Sequence, residues 1–332
     1  MIRLIAALCK VFSARSLRPL PSLVAAASIM TFPGIAVADV KHYLYTSAGA
    51  FSETRELLHN PAISGVQILY NWRMLEPEKG RYDFSAIERD LAVAQKFDKA
   101  FFLQLQDRFF WEGARFVPDY LLKDPLYAGG LARQVDDSEA ETPTPEGWVA
   151  VQWNEAVRSR YQALLTALAD QFDGRIEGLN LPESSIDVDR RKDETGFSCD
   201  AYFNATLENM VHARKAFQAS HVVQYVNFWP CEWENSEGYM QRSFEKAAEL
   251  GIGLGGPDIV PHRKAQMKNS YPFFHQYRDK LPVIAMAIQE PTLEYINPET
   301  GKTFTRSEFI KFATDYLGVD IIFWSASAPW LQ

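Results

Sequence analysis

Arg175-Ile-Glu-Gly-Leu-Asn-Leu-Pro-Glu-Ser-Ser185 is the stretch on which the reading of this chain turns. It opens as a short apolar run and breaks off into polar residues. Glu183 sits just past the break, behind Pro182, which has no N–H to give to a sheet ladder. A second segment has the same shape about a hundred residues later: Pro282-Val-Ile-Ala-Met-Ala-Ile-Gln-Glu-Pro291. There too a run of buried type carries one glutamate, Glu290, to its carboxyl end.

Working outward from these two runs, short apolar segments alternate with longer amphipathic ones. Strands are expected at 42–46, 65–72, 100–106, 175–183, 221–227, 252–256, 282–290 and 319–325. Helices are expected at 52–58, 85–97, 154–172, 200–219, 236–250, 271–281 and 307–317. Ser85 and Glu88 have the spacing of a capping box. Strict alternation of eight strands with at least seven helices predicts an α/β fold, a (β/α)8 TIM barrel. An open doubly wound sheet would usually place a glycine-rich phosphate turn after its first strand, and 46–50 is a poor match. Between 109 and 151 the chain is rich in Pro and Gly and carries an acidic cluster at 136–141, which predicts a long irregular loop. Loops of that length are usually functional or mobile.

The 332 residues are 47% hydrophobic, enough for one large core. Residues 1–38 differ from the rest. They hold Arg3, Lys10, Arg15 and Arg18, no acidic residue, an apolar small-residue run and the cleavage-type triplet Ala36-Val37-Ala38. A secretory signal peptide over 1–38 and one catalytic barrel over 39–332 are therefore expected, with a secreted or periplasmic destination. The other reading of 1–38 is an uncleaved anchor, for which Pro33 and Gly34 interrupt a run already short for a span. Removing four basic residues from a chain of net charge −8 leaves −12. That balance argues against nucleic acid and against an anionic membrane surface as partners. Cys9 leaves with the leader. Cys199 and Cys231 remain, as a disulfide or as two free thiols.

In a (β/α)8 barrel the active site lies at the carboxyl ends of the strands. Polar and aromatic residues end seven of them: Asn71 and Arg73, Asp107 and Arg108, Asn180 and Glu183, Asn227 and Trp229, Asp258 and His262, Gln289 and Glu290, Trp324 and Ser325. Two glutamates at matching strand ends fit the retaining scheme of glycoside hydrolysis, in which one carboxyl protonates the leaving oxygen and the other attacks the anomeric carbon. Arg73 is the expected cation beside the ionised nucleophile. Trp229 and Trp324 are the expected sugar platforms, because each ends a strand. Asp258 and His262 make a weak metal signal, since catalytic zinc usually takes three protein ligands. No metal or cofactor is expected. Glu76 is expected to hold a turn rather than do chemistry. Cys199 and Cys231 follow adjacent strands, so a bridge between them would brace the loop that carries Glu183.

The arrangement resembles the clan A glycoside hydrolases, whose acid/base glutamate ends strand four and whose nucleophile ends strand seven. Trp72-Arg-Met-Leu-Glu-Pro-Glu-Lys-Gly-Arg-Tyr-Asp-Phe84 is similar to the W-x-x-x-E-P-x-x-G-x-Y-D-F segment of family 42-like β-galactosidases. Phe323-Trp-Ser325 is similar to the strand-eight tryptophan that floors the cleaved subsite. Asn227, Trp229 and His262 stand where the clan often carries sugar contacts. The resemblance implies Glu183 as acid/base, Glu290 as nucleophile and a β-linked oligo- or polysaccharide as substrate. One position departs from it. The clan usually carries Asn directly before the acid/base, to bind the 2-hydroxyl. Here that place is Pro182, and Asn180 is the nearest amide. A diverged barrel that binds glycan without cleaving it is the alternative.

Overall fold

The computed structural model describes residues 39–332, so the expected leader lies outside the described residues. Eight parallel strands close into a barrel: β1 (Lys41–Ser47), β2 (Gly65–Asn71), β3 (Ala100–Gln106), β7 (Gly178–Leu181), β8 (His221–Tyr225), β9 (Gly253–Gly256), β10 (Ile284–Ile288) and β11 (Ile321–Ser325). Closure comes from β1, which pairs with β2 on one side and β11 on the other. The expected (β/α)8 architecture is what forms.

Each strand is buried on both faces, and alternate residues divide two layers. Tyr43, Phe102, Val223, Tyr225, Ala285, Ala287 and Phe323 fill the barrel interior. Leu44, Val66, Leu103, Leu179, Ile322 and Trp324 pack outward in the larger core. The interior works by pairing large with small. A Cβ on Gly178 would lie 2.2 Å from the Phe102 ring, and one on Gly255 would lie 1.8 Å from the Ala285 carbonyl. Full burial of each aromatic is worth roughly 1.5–3 kcal/mol.

The helix Glu155–Phe172 begins where Asn154 accepts hydrogen bonds from the Ala156 and Val157 amides. It buries Val157, Tyr161, Leu164, Leu165, Leu168 and Phe172, one stripe at helical period. The expected capping box at Ser85 does not form. Asp83 accepts from the Ser85 amide instead, and Glu88 turns to pair with Arg175. The capping box is on Thr305 and Glu308, at the start of the helix Arg306–Phe312.

The expected loop over 109–151 holds regular structure. β4 (Arg108–Phe109), β5 (Leu131–Val135) and β6 (Pro145–Ala150) make a three-stranded antiparallel sheet in the order β4-β6-β5. Trp148 anchors it, with Arg115 and Arg133 guanidinium groups 3.9 and 4.6 Å from its ring centre. This sheet stands over the carboxyl ends of β3 and β7. Cys199 and Cys231 are bridged, with Cα atoms 6.2 Å apart, tying the start of the helix Cys199–Ala216 to the loop after β8. Among the described residues no helix is long and apolar enough to cross a membrane.

Candidate active site

The site is built around the turn that follows β7. Pro182 ends the ladder there, and three successive carbonyls would be left buried without partners. Each has a side chain aimed at it. Gln224 donates to Pro182 O, Arg108 donates to Glu183 O, and Tyr202 Oη donates to Ser184 O at 2.9 Å. Ser184 Oγ closes the turn by donating to Phe228 O and accepting from the Asn227 amide, at 2.7 and 3.1 Å. The strand thus ends abruptly yet leaves its glutamate on a rigid base.

Glu183 lies in a cleft of about 260 Å3 at the carboxyl end of the barrel, with Tyr45, Gln104, Arg108, Tyr225, Asp258 and Gln289 among its walls. Protein atoms surround the carboxyl while part of the side chain stays open to the cleft. Burial pushes it up to about 7. The Arg108 charge opposes the rise, the Asp258 charge adds to it, and a hydrogen bond from Asn227 opposes it. Arg108 is itself buried and held by Asp107, whose second oxygen accepts from Gln152 at 2.9 Å.

Glu290 opens the short turn Glu290–Leu293 after β10 and is exposed. Ser325 Oγ, from the end of β11, donates to its carboxylate. Thr292 of the same turn donates to Asp258. Burial raises the Asp258 carboxyl above its ordinary range, against the Thr292 hydrogen bond and the Arg263 charge. One phenol reports on all three acids. Burial raises Tyr45, and the charges of Glu290, Asp258 and Glu183 raise it further. The charges of both expected glutamates and of Asp258 thus reach one phenol, though Glu183 and Asp258 line the cleft and Glu290 stands outside its lining.

The other expected residues divide. Asn227 reaches Glu183. Asn180 is fully buried in the barrel beside Gln104, donates to Leu181 O at 3.0 Å and leaves Oδ1 without a partner. Arg73 is not the cation of the site. Its guanidinium turns to Val117 O, Arg115 O and Asp119, and the buried cation of the cleft is Arg108, which lies beside Glu183 rather than beside the expected nucleophile. Asn71 caps the turn Trp72–Leu75 by accepting from the Met74 amide. Asp107 is the buried partner of Arg108 rather than a cleft wall.

Two tryptophans are out of reach of a sugar. Trp229 is 3% exposed and packs on Tyr202, Phe203 and Tyr239. Trp324 is fully buried on the outer face of β11, against Phe309 and Trp330. Its Nε1 donates to His42 Nδ1 at 3.1 Å, and burial with the Arg306 charge lowers His42 to about 4, which keeps that ring a neutral acceptor. His262 sits at φ +58° against Phe312, beside a separate cavity with Phe304 and Tyr316. It is therefore parted from Asp258, and among the described residues no three metal-ligating side chains cluster. Glu76 is buried and holds its turn, accepting from Trp72 Nε1 and the Gly80 amide at 2.9 and 2.8 Å and pairing with Arg160.

Sequence reasoning placed Arg108, Asp258 and Gln289 at strand ends without giving them these roles, and it missed Tyr45 as a wall of the cleft. The signal for Gln289 and Tyr45 was available in strand parity, since both alternate with interior residues.

No family model and no curated protein sequence matches the chain. Solved structures do match. A β-amylase catalytic domain from Paenibacillus polymyxa aligns over 86% of this chain and 92% of its own, at 9% identity and TM-score 0.60. A xylanase from Cellvibrio japonicus covers 87% of each chain at 12% identity and TM-score 0.50. A β-galactosidase from the psychrophilic Marinomonas ef1 covers 86% of this chain and 53% of its own, at 8% identity and TM-score 0.54. At these identities the likeness establishes the fold: the described chain is a (β/α)8 barrel of the kind those enzymes share.

Proposed function

We propose that the protein is a secreted glycoside hydrolase acting on a β-linked oligo- or polysaccharide by double displacement. The observation that carries this reading is Glu183, a carboxyl at a barrel-strand end whose surroundings hold it near pH 7. A carboxyl in that state is still protonated in about half of the molecules at neutral pH, and the protonated form can release its proton to a leaving glycosidic oxygen. Glu290 attacks the anomeric carbon as the C–O bond breaks, forming a glycosyl-enzyme. Water then enters, Glu183 takes its proton, and the glycosyl–Glu290 bond breaks. Ser325 orients Glu290. Asn227 and Arg108 limit how far the Glu183 proton is held, and no cofactor takes part.

A second assignment has one observation in its favour. Asp258 lines the cleft with Glu183 and its charge reaches that carboxyl, so Asp258 could serve as the partner in place of Glu290. Three variants separate the readings, assayed over a panel of glycans with the released anomer identified. Glu183→Gln is expected to lower turnover by roughly 10²–10⁴-fold. Glu290→Gly is expected to be inactive and to recover turnover with azide, giving a glycosyl azide. Recovery in Asp258→Gly instead would move the nucleophile there. Binding without turnover across the whole panel would leave a glycan-binding barrel.

A further inference from the structure

A second, larger groove of about 740 Å3 adjoins the cleft, and Phe110 borders both. Its walls are the β4–β6 sheet on one side and the loops after β7 and β8 on the other. Two features of it are independent. The first is aromatic. Phe228 and Trp233 line the groove with their rings parallel at 1° and centres 6.3 Å apart. Trp233 is 50% exposed and Phe110 is 56% exposed, which is costly for large apolar side chains unless something stacks on them.

The second feature is charge. Asp136, Asp137, Glu146 and Asp187 face the groove, along with Glu139. The one cation in its wall, Arg190, is engaged with Glu139. Asp136 accepts from the Asp137 and Thr144 amides, and these hydrogen bonds hold it below the ordinary carboxylate range. Glu146 has no hydrogen-bond or ion-pair partner among the described residues. A surface that offers flat aromatic faces and surplus negative charge suits a ring-shaped ligand bearing positive charge.

We propose that this groove holds the continuation of the saccharide chain entering the Glu183 cleft, and that the chain carries protonated amino groups, as a glucosamine polymer does. The proposal rests on the glycoside hydrolase reading of the cleft and names its substrate class. Phe110 would pass the chain from cleft to groove, Trp233 and Phe228 would stack its rings, and the carboxylates would take its amines. A neutral chain would find the stacking faces but leave the surplus negative charge of the groove, Glu146 above all, without a counter-charge.

The test is a binding measurement on the full chain carrying Glu183→Gln, so that turnover plays no part. Titration calorimetry compares a glucosamine pentamer, its fully N-acetylated counterpart and a lysine pentapeptide. The glucosamine pentamer is expected to bind at least tenfold tighter than the acetylated one, and to weaken as salt rises. Trp233→Ala is expected to weaken it about tenfold, and Glu146→Gln to reduce the preference over the acetylated form. Equal or tighter binding of the acetylated pentamer overturns the proposal. So does a lysine peptide that binds as well as the sugar, with no loss in Trp233→Ala, since charge alone would then explain the groove. Cleavage of a short neutral glycoside by the unsubstituted protein, without binding of the glucosamine pentamer, would keep the hydrolase reading and reject this one. Binding of the pentamer with no cleavage of any glycan would do the reverse.

Discussion

Two neighbours in sequence, Asp107 and Arg108, temper the protonation of a carboxyl 75 positions from Arg108. Arg108 lies close enough to Glu183 to lower its pKa, and Asp107 keeps Arg108 in place. The group stays at about 7 because burial outweighs that pull. Protonated Glu183 is the competent acid, so turnover is expected to fall as pH rises through about 7. Replacing Arg108 alone would leave Asp107 buried and unpaired, a loss of roughly 3–5 kcal/mol. The double variant Asp107→Asn/Arg108→Met removes both charges together. Its alkaline limb in kcat/KM is expected to move to higher pH, because the Arg108 charge that lowers Glu183 is gone. An unmoved limb would mean that the limb belongs to another group. At this scale the sequence was legible in part. The glutamates could be picked out by strand ends, but the facing of Trp324 could not. A shift of one residue in parity turns a side chain from the barrel mouth to the helix layer. Phe323 and Ser325 take the inner positions on β11, and Trp324 takes the outer one.

The elements that read best were those with a strong period. The helix Glu155–Phe172 and the strand Ala100–Gln106 lie within one residue of expectation, because stripe, cap and apolar run all agree there. The β4–β6 sheet did not read at all. Its strands are short, Pro145 and Gly147 stand inside β6, and Arg133 and Trp148 pair through a ring–cation contact that no periodicity announces. Gly147 explains its own place. A Cβ there would lie 1.8 Å from Phe109 O, so only glycine lets β6 approach β4. Gly147→Ala is expected to part these two strands at a cost of about 1–3 kcal/mol. Because Arg108 pairs with Val149 across the same ladder, turnover should fall with stability. Limited proteolysis is the readout: new cuts are expected within 109–151, dividing the chain into two fragments that carry β1–β3 and β7–β11 and stay associated as the barrel. Unchanged proteolysis and turnover would show that the sheet tolerates the extra methyl by moving as a unit.

For the whole molecule, the barrel and its two crowning loops are separate layers, and the Cys199–Cys231 bridge belongs to the second. The barrel is closed by its own ladders, whereas the loop after β8 holds irregular backbone and the left-handed residues Cys231, Glu234 and Asn235. The bridge joins positions 32 apart, so it constrains the unfolded chain as well as the loop. Closing a ring of that size is worth about 3–4 kcal/mol in the chain-entropy account. For a domain near 300 residues that corresponds to roughly 5–7 °C in Tm. Cys199→Ala/Cys231→Ala, followed by calorimetry with and without reductant, is expected to show that loss in the variant and no further effect of reductant on it. Glu183 is held by Gln224 on β8 and Arg108 on β4, which stand apart from the bridge, and by Tyr202 and Ser184, whose contacts lie within three residues of Cys199 and Cys231; the first two keep the turn in place without it. Turnover at low temperature should therefore change little, while groove-bound ligands lose affinity because Trp233 lies two residues past Cys231. A variant that keeps its Tm but loses turnover would reverse this division and make the bridge part of the catalytic base instead.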